Sequence, residues 1–173
     1  MERDQLHQFW LDSQQEMIRK WNRLVPLGDC VGDRWERARL AGFGEGTSVY
    51  DSCLILGDVH VGKNTWIGPF TILDGSGGLT VGDYCSISAG VQIYTHDSIA
   101  WCLTSGSSEI QRKPTRIGNN CYIGPNAIIA MGVTVGDRSI VGANSLVLSD
   151  IPEGSKAVGT PCRVIGTSQA HLE

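Results

Sequence analysis

The sequence predicts an all-β solenoid, a coil of short parallel strands with an N-terminal helix and one long extruded loop. Three observations predict it. An aliphatic residue stands at every sixth position: Val49, Ile55, Val61, Ile67 and Leu73, then after a two-residue slip Val81, Ile87 and Ile93. After a long interruption the phase resumes at Ile117, Ile123, Ile129, Val135, Val141 and Val147. The next residue is often glycine, as in VGKNTW, IGPFTI, VGDYCS, IGNNCY, IGPNAI, VGDRSI and VGANSL. The fifth residue is usually small, as at Cys53, Thr65, Thr71, Cys85, Cys121, Ala127, Ser139 and Ser145. A six-residue period fits neither a helix nor the alternation of a one-sided strand, and repetition of this kind marks a solenoid. Each strand then supplies one large and one small inward residue, while glycine relieves the backbone at each corner. A β-sandwich predicts irregular spacing and alternating polar faces instead of aliphatics held in phase.

Along the chain, residues 1–46 form a helical segment, 47–166 the coil, and 167–173 a polar tail. Leu6, Phe9, Trp10, Met17, Ile18, Trp21 and Leu24 fall near helical spacing and stop before Pro26. They predict an amphipathic helix within residues 2–25 that packs on or caps the coil. A second short helix is expected over 33–41, before the glycines of GFGEG. The interruption, residues 98–115, is longer than most connections in compact domains and is read as an extruded functional loop.

The 173 residues, 41% of them hydrophobic, suffice for one domain with appendages. A net charge of −4 offers no basic stripe for nucleic acid. No apolar run reaches membrane-spanning length, and the start MERDQLHQFW lacks the regions of a signal peptide, so the expected compartment is the cytoplasm. The six cysteines are scattered, with no C-x-x-C pair, and mostly occupy small-residue positions, which predicts reduced, buried thiols.

Register turns the repeat into a map. With three hexads per coil, residues one coil apart stack about 4.7 to 4.9 Å apart. The hexads beginning at Leu73, Ile93, Ile129 and Val147 fall on one face, in a column containing Asp74, His96, Gly132 and Asp150. His96 stands immediately before the extruded loop.

The stretch TRIGNNCYIGPNAIIAMGVTVGDRSIVGANSLVLSDIPEGSKAVGTPCRVIG resembles the closing coils of the hexapeptide-repeat acyltransferases, the galactoside, maltose and polysaccharide-modifying acetyltransferases among them. The resemblance covers roughly residues 47–166. It implies a left-handed parallel β-helix, a homotrimer, and acetyl-CoA as co-substrate for a sugar acceptor such as a nucleotide-linked sugar or surface glycan. On matching positions His96 is the catalytic histidine, the general base that removes the acceptor's proton as it attacks the thioester. Gly132 matches the level whose backbone N–H faces the thioester oxygen. Asp97 is expected to orient His96, and Asp74 to contact the acceptor sugar. Pro125, Ala143, Gly132, Ser149 and Arg163 match positions along the coenzyme. Arg163 suits a phosphate through its guanidinium, and Lys156 is a further phosphate candidate.

Two other classes compete. Gamma-class carbonic anhydrases share this solenoid and hold zinc with three histidines, but His7, His60, His96 and His171 are the only histidines here and no second one follows His96 closely. The expected metal content is none. A non-catalytic scaffold is the other, since fold alone does not confer activity. Cys102 has no base beside it in sequence and is read as an inert loop thiol.

Overall fold

A computed structural model describes residues 2–171, so the expected tail at 167–173 lies partly outside the described residues. Helix α1 spans Arg3–Trp21, opened by a reciprocal capping box between Glu2 and Gln5 and closed by Asn22 in the left-handed conformation. Leu24 therefore lies beyond the helix expected to include it. A short α2, Leu27–Val31, follows Pro26, and α3, Arg34–Leu40, is capped by the Asp33 carboxylate, which accepts from the N–H groups of Trp35 and Glu36. It is α3, not α1, that packs against the first strand. Helix α1 instead leans on α2, where the buried Gln14 donates to the Val25 carbonyl at 2.8 Å, and its Leu6, Phe9, Trp10, Ile18 and Trp21 stay exposed. Among the described residues, no helix is long and apolar enough to cross a membrane.

From Ser48 the chain winds as a three-faced solenoid. The first face stacks Ser48–Val49, Trp66–Ile67, Ser86–Ile87, Tyr122–Ile123, Ile140–Val141 and Ser155–Gly159 in parallel, and Cys162–Thr167 closes it antiparallel. The second stacks residues 54–55, 72–73, 92–93, 128–129 and 146–147. The third stacks residues 60–61, 80–81, 116–117 and 134–135, with Ile151 bridging to Val135. Of the in-phase aliphatics, all but Ile55 are at most 6% exposed, and Ile55 packs half-buried against the core. Each fully buried aliphatic contributes about 1.5–3 kcal/mol relative to exposure, the main force holding the coils.

The corners differ from expectation in one respect. The glycine after the aliphatic is not where the backbone turns left-handed. That conformation falls two residues later, at Asn64, Phe70, Tyr84, Asn120, Asn126, Arg138 and Asn144. The glycine answers to close approach: a Cβ on Gly124 would lie 2.5 Å from the Ala143 nitrogen in the next coil. The small inward residues also hydrogen-bond between coils. Thr65 Oγ1 donates to the Gly82 carbonyl at 2.9 Å, Cys85 Sγ to Gly118 at 3.0 Å, Cys121 Sγ to Gly136 at 3.2 Å and Ser139 Oγ to Pro152 at 2.9 Å. A residue there must be small enough for the core, and one that can donate gains a bond to the next coil, which explains why Thr, Ser and Cys interchange while Ala127 also fits. All six cysteines are free thiols, with Cys53, Cys85, Cys121 and Cys162 buried and Cys102 exposed.

Candidate active site

The slip in the repeat builds the site. Strand Ile72–Val81 runs through GSGG, where the repeat gains two residues, and its pairing with Leu54–Val61 shifts register between Gly57 and Val59. The bulge folds Ser76 back, so that its N–H and hydroxyl both donate to Asp74 Oδ1, at 3.0 and 2.5 Å. Thr95, one coil on, donates to Asp74 Oδ2 from its N–H at 2.8 Å, and its hydroxyl accepts from Gly77 N at 2.8 Å. His96 Nδ1 completes the set at 2.7 Å from Asp74 Oδ2.

Asp74 is 1% exposed, while the His96 side chain is 38% exposed. Burial by itself would push the Asp74 pKa up. Hydrogen bonds from Ser76, Thr95 and His96 outweigh it and hold the carboxyl well below the usual carboxylate range. An ionised carboxylate only accepts, so Nδ1 must carry the hydrogen, and the neutral ring then presents the Nε2 lone pair. Tyr94 packs edge-on against the imidazole, ring centroids 6.5 Å apart, and its hydroxyl donates to Gln92 Oε1 at 2.8 Å.

Several expected residues sit differently. Asp97 does not meet the His96 ring: its carboxylate accepts from Ile99 N at 3.1 Å. The two are adjacent in strand His96–Asp97, and adjacent strand residues point to opposite sides. Asp74, expected at the acceptor, is buried behind the histidine instead of open to a ligand. Gly132 shares the column but its N–H already donates to Thr115 Oγ1 at 3.1 Å, because the returning loop strand, through Lys113 N to Thr95 O, comes between its coil and His96. The loop leaves on a two-stranded antiparallel ribbon, His96–Asp97 with Gln111–Arg112, and carries a short helix α4, Ile99–Leu103, with no buried residue.

Pro125 and Ala143 stack, both exposed, at the corner between the first and second faces, where Asn144 N donates to the Pro125 carbonyl. Arg163 lies beyond them on the closing hairpin opposite Val158, exposed and without an acidic partner among the described residues. Ser149, exposed, belongs to the His96 corner, between the second and third faces. Lys156 pairs with Ile140 on the first face, away from both corners, so the structure does not bring it to the others. Among the described residues, no group of three His, Cys, Asp or Glu is placed to hold a metal. Sequence reasoning missed Ser76, Thr95 and Tyr94. Their only signal was the phase slip beside Asp74.

Comparison with known proteins places the fold in context. Residues 114–149 match the family described as bacterial transferase hexapeptide (six repeats). The galactoside O-acetyltransferase of Escherichia coli is 37% identical over 109 residues, 62% of this chain and 53% of that protein. The chain thus spans about half the length of that relative. A galactoside acetyltransferase solved in complex with coenzyme A superposes with a TM-score of 0.56 at 27% identity, covering 94% of this chain and 82% of that one. AntD, an N-acyltransferase from Bacillus cereus solved with dTDP and 3-hydroxybutyryl-CoA, gives a TM-score of 0.68 at 23% identity, covering 75% and 73%, and shares the fold.

Proposed function

We propose that this chain, which matches the hexapeptide transferase family over residues 114–149 and resembles galactoside O-acetyltransferase over 109 residues, is an acetyl-CoA-dependent acetyltransferase acting on a sugar, with His96 as general base. The observation that carries this reading is the His96–Asp74 pair, whose ionised carboxylate fixes the ring so that Nε2 is free to accept a proton. A sugar hydroxyl is a poor nucleophile until it loses its proton, and Nε2 takes it as the oxygen attacks. Asp74 holds the ring in that orientation and stabilises the imidazolium that results. The column of Pro125 and Ala143 leaves an open, small-walled corner for an extended coenzyme, and Arg163 offers an unpaired guanidinium for a phosphate. When bound, acetyl-CoA supplies the activated acyl group. The Gly132 N–H serves the carbonyl oxygen only by leaving Thr115 Oγ1. The proposed assembly is a homotrimer, and a nucleotide-linked sugar or glycan is the proposed acceptor. The dTDP bound to AntD supports the nucleotide-linked acceptor.

The test combines acetyl-CoA with a panel of hydroxy and amino nucleotide-sugars, read as thiol release and product mass. His96→Ala should keep coenzyme affinity while turnover on the accepted sugar falls by roughly 10²–10⁴, the range for loss of a general base. Wild-type turnover in His96→Ala would remove the assignment.

A further inference from the structure

Between α1, α2, α3 and the first coil lies a cavity of about 340 Å³, near the lower end of the roughly 300–1,000 Å³ typical of small-molecule sites. It belongs to the corner after Val49 in the first coil. His96 sits at another corner, two coils on. Its wall includes Trp21, Arg23, Asp29, Arg34, Trp35 and Tyr50.

The charges there are unevenly matched. The Arg34 guanidinium lies 4.9 Å from the Trp35 ring centroid and 4.6 Å from that of Tyr50. Such stacking fixes the guanidinium plane while leaving its N–H edges free. Neither Arg34 nor Arg23 has an acidic partner among the described residues. The acids in the wall are otherwise engaged: Glu16 pairs with Lys20, and Asp33 caps α3. Asp29 differs. It is 8% exposed, its Oδ1 accepts from Asp51 N, and its Oδ2 is buried with no partner among the described residues. A buried acceptor left unmatched is unfavourable and calls for a donor. Trp21, 62% exposed, adds an open aromatic face.

We propose that this cavity is a binding site for a nucleoside phosphate. The phosphate pairs with Arg34 and Arg23, the base stacks on Trp21, and a sugar hydroxyl donates to Asp29. A bare anion suits the arginines but not the carboxylate, and an uncharged nucleoside leaves the arginines unmatched. Only a ligand carrying anion, hydroxyl and ring answers all three.

Titrating the full chain with uridine 5′-diphosphate, in the absence of acetyl-CoA, tests it by calorimetry and tryptophan fluorescence. The diphosphate should bind and quench emission, with uridine and inorganic phosphate each at least tenfold weaker. Arg34→Ala should weaken binding by about tenfold or more, the loss of a charge-assisted contact. Trp21→Ala, which removes a mostly exposed side chain and leaves the fold intact, should weaken it too, while His96→Ala should not. No binding at millimolar nucleotide, equal binding of phosphate alone, or affinity unchanged in both cavity variants overturns the proposal. Because no acetyl transfer is read, this outcome is separate from that of the acetyltransferase assay.

Discussion

Asp74 is a carboxylate enclosed by protein yet held ionised, and the reason lies in its neighbours. Two donors from Ser76, one from Thr95 and the His96 ring converge on its two oxygens. Asp74→Asn keeps the shape but offers Nδ1 an amide, which can donate and so favour the tautomer with the proton on Nε2. Turnover should fall by about 10²–10⁴ while coenzyme affinity holds, measured by steady-state kinetics beside calorimetry. The same group makes a stability prediction. Its folded pKa lies below its unfolded value, so its contribution is complete above the ordinary carboxylate pKa of about 3.9 and is withdrawn as pH falls toward the depressed value. Denaturant titrations should show the wild type losing stability below about pH 4 more steeply than Asp74→Asn. Identical pH slopes would deny the carboxylate its role. Register alone made His96 and Asp74 legible as members of one column. It could not show that they touch, because the contact depends on how the GSGG segment, lengthened by two residues, folds around Ser76. Asp97 was a natural candidate by adjacency, and strand geometry sends it the other way.

At the scale of elements, the coil was legible almost to the residue, since a buried aliphatic at every sixth position leaves no other regular structure to choose. The helices were less so. The apolar spacing of α1 identified a helix, but spacing cannot say what covers its apolar face, and in the chain by itself most of that face is uncovered. The short α2 carries too few residues for any period to show. The contrast between rung and loop is measurable. Ile129 is 0% exposed on the second face, stacked between Ile93 and Val147. Ile129→Ala should cost about 2–5 kcal/mol in denaturant titration, the transfer term plus the cavity left behind. Leu103 in α4 is 80% exposed, and Leu103→Ala should stay within about 0.5 kcal/mol of wild type. Equal effects at the two positions would contradict the solenoid core.

At the scale of the molecule, the three faces turn unequal surfaces outward. The third shows His60, Thr80, Arg116 and Thr134, all polar. The second carries Leu54, Leu56, Ile72, Tyr94, Ile128, Ala130, Leu146 and Leu148, interrupted in register by the polar Gln92 and the buried Asp74. An apolar surface of that extent marks an interaction face, and closed cyclic symmetry is the usual way to cover one. If three copies turn the second face inward, the corner on one side of it in each copy meets the corner on the other side in its neighbour. His96 would then lie beside the Pro125, Ala143 and Arg163 corner of the adjacent chain, which accounts for these residues lying at different corners of their own. Light scattering should give three times the chain mass, and Ile128→Glu should give a monomer without acetyl transfer. Shared sites make a stronger demand. His96→Ala and Ala143→Trp, each inactive alone, should on co-expression recover about a quarter of wild-type sites, since random mixing pairs an intact histidine with an intact neighbouring corner at that frequency. Sites built within one chain would recover nothing, because every chain in the mixture carries one of the two lesions.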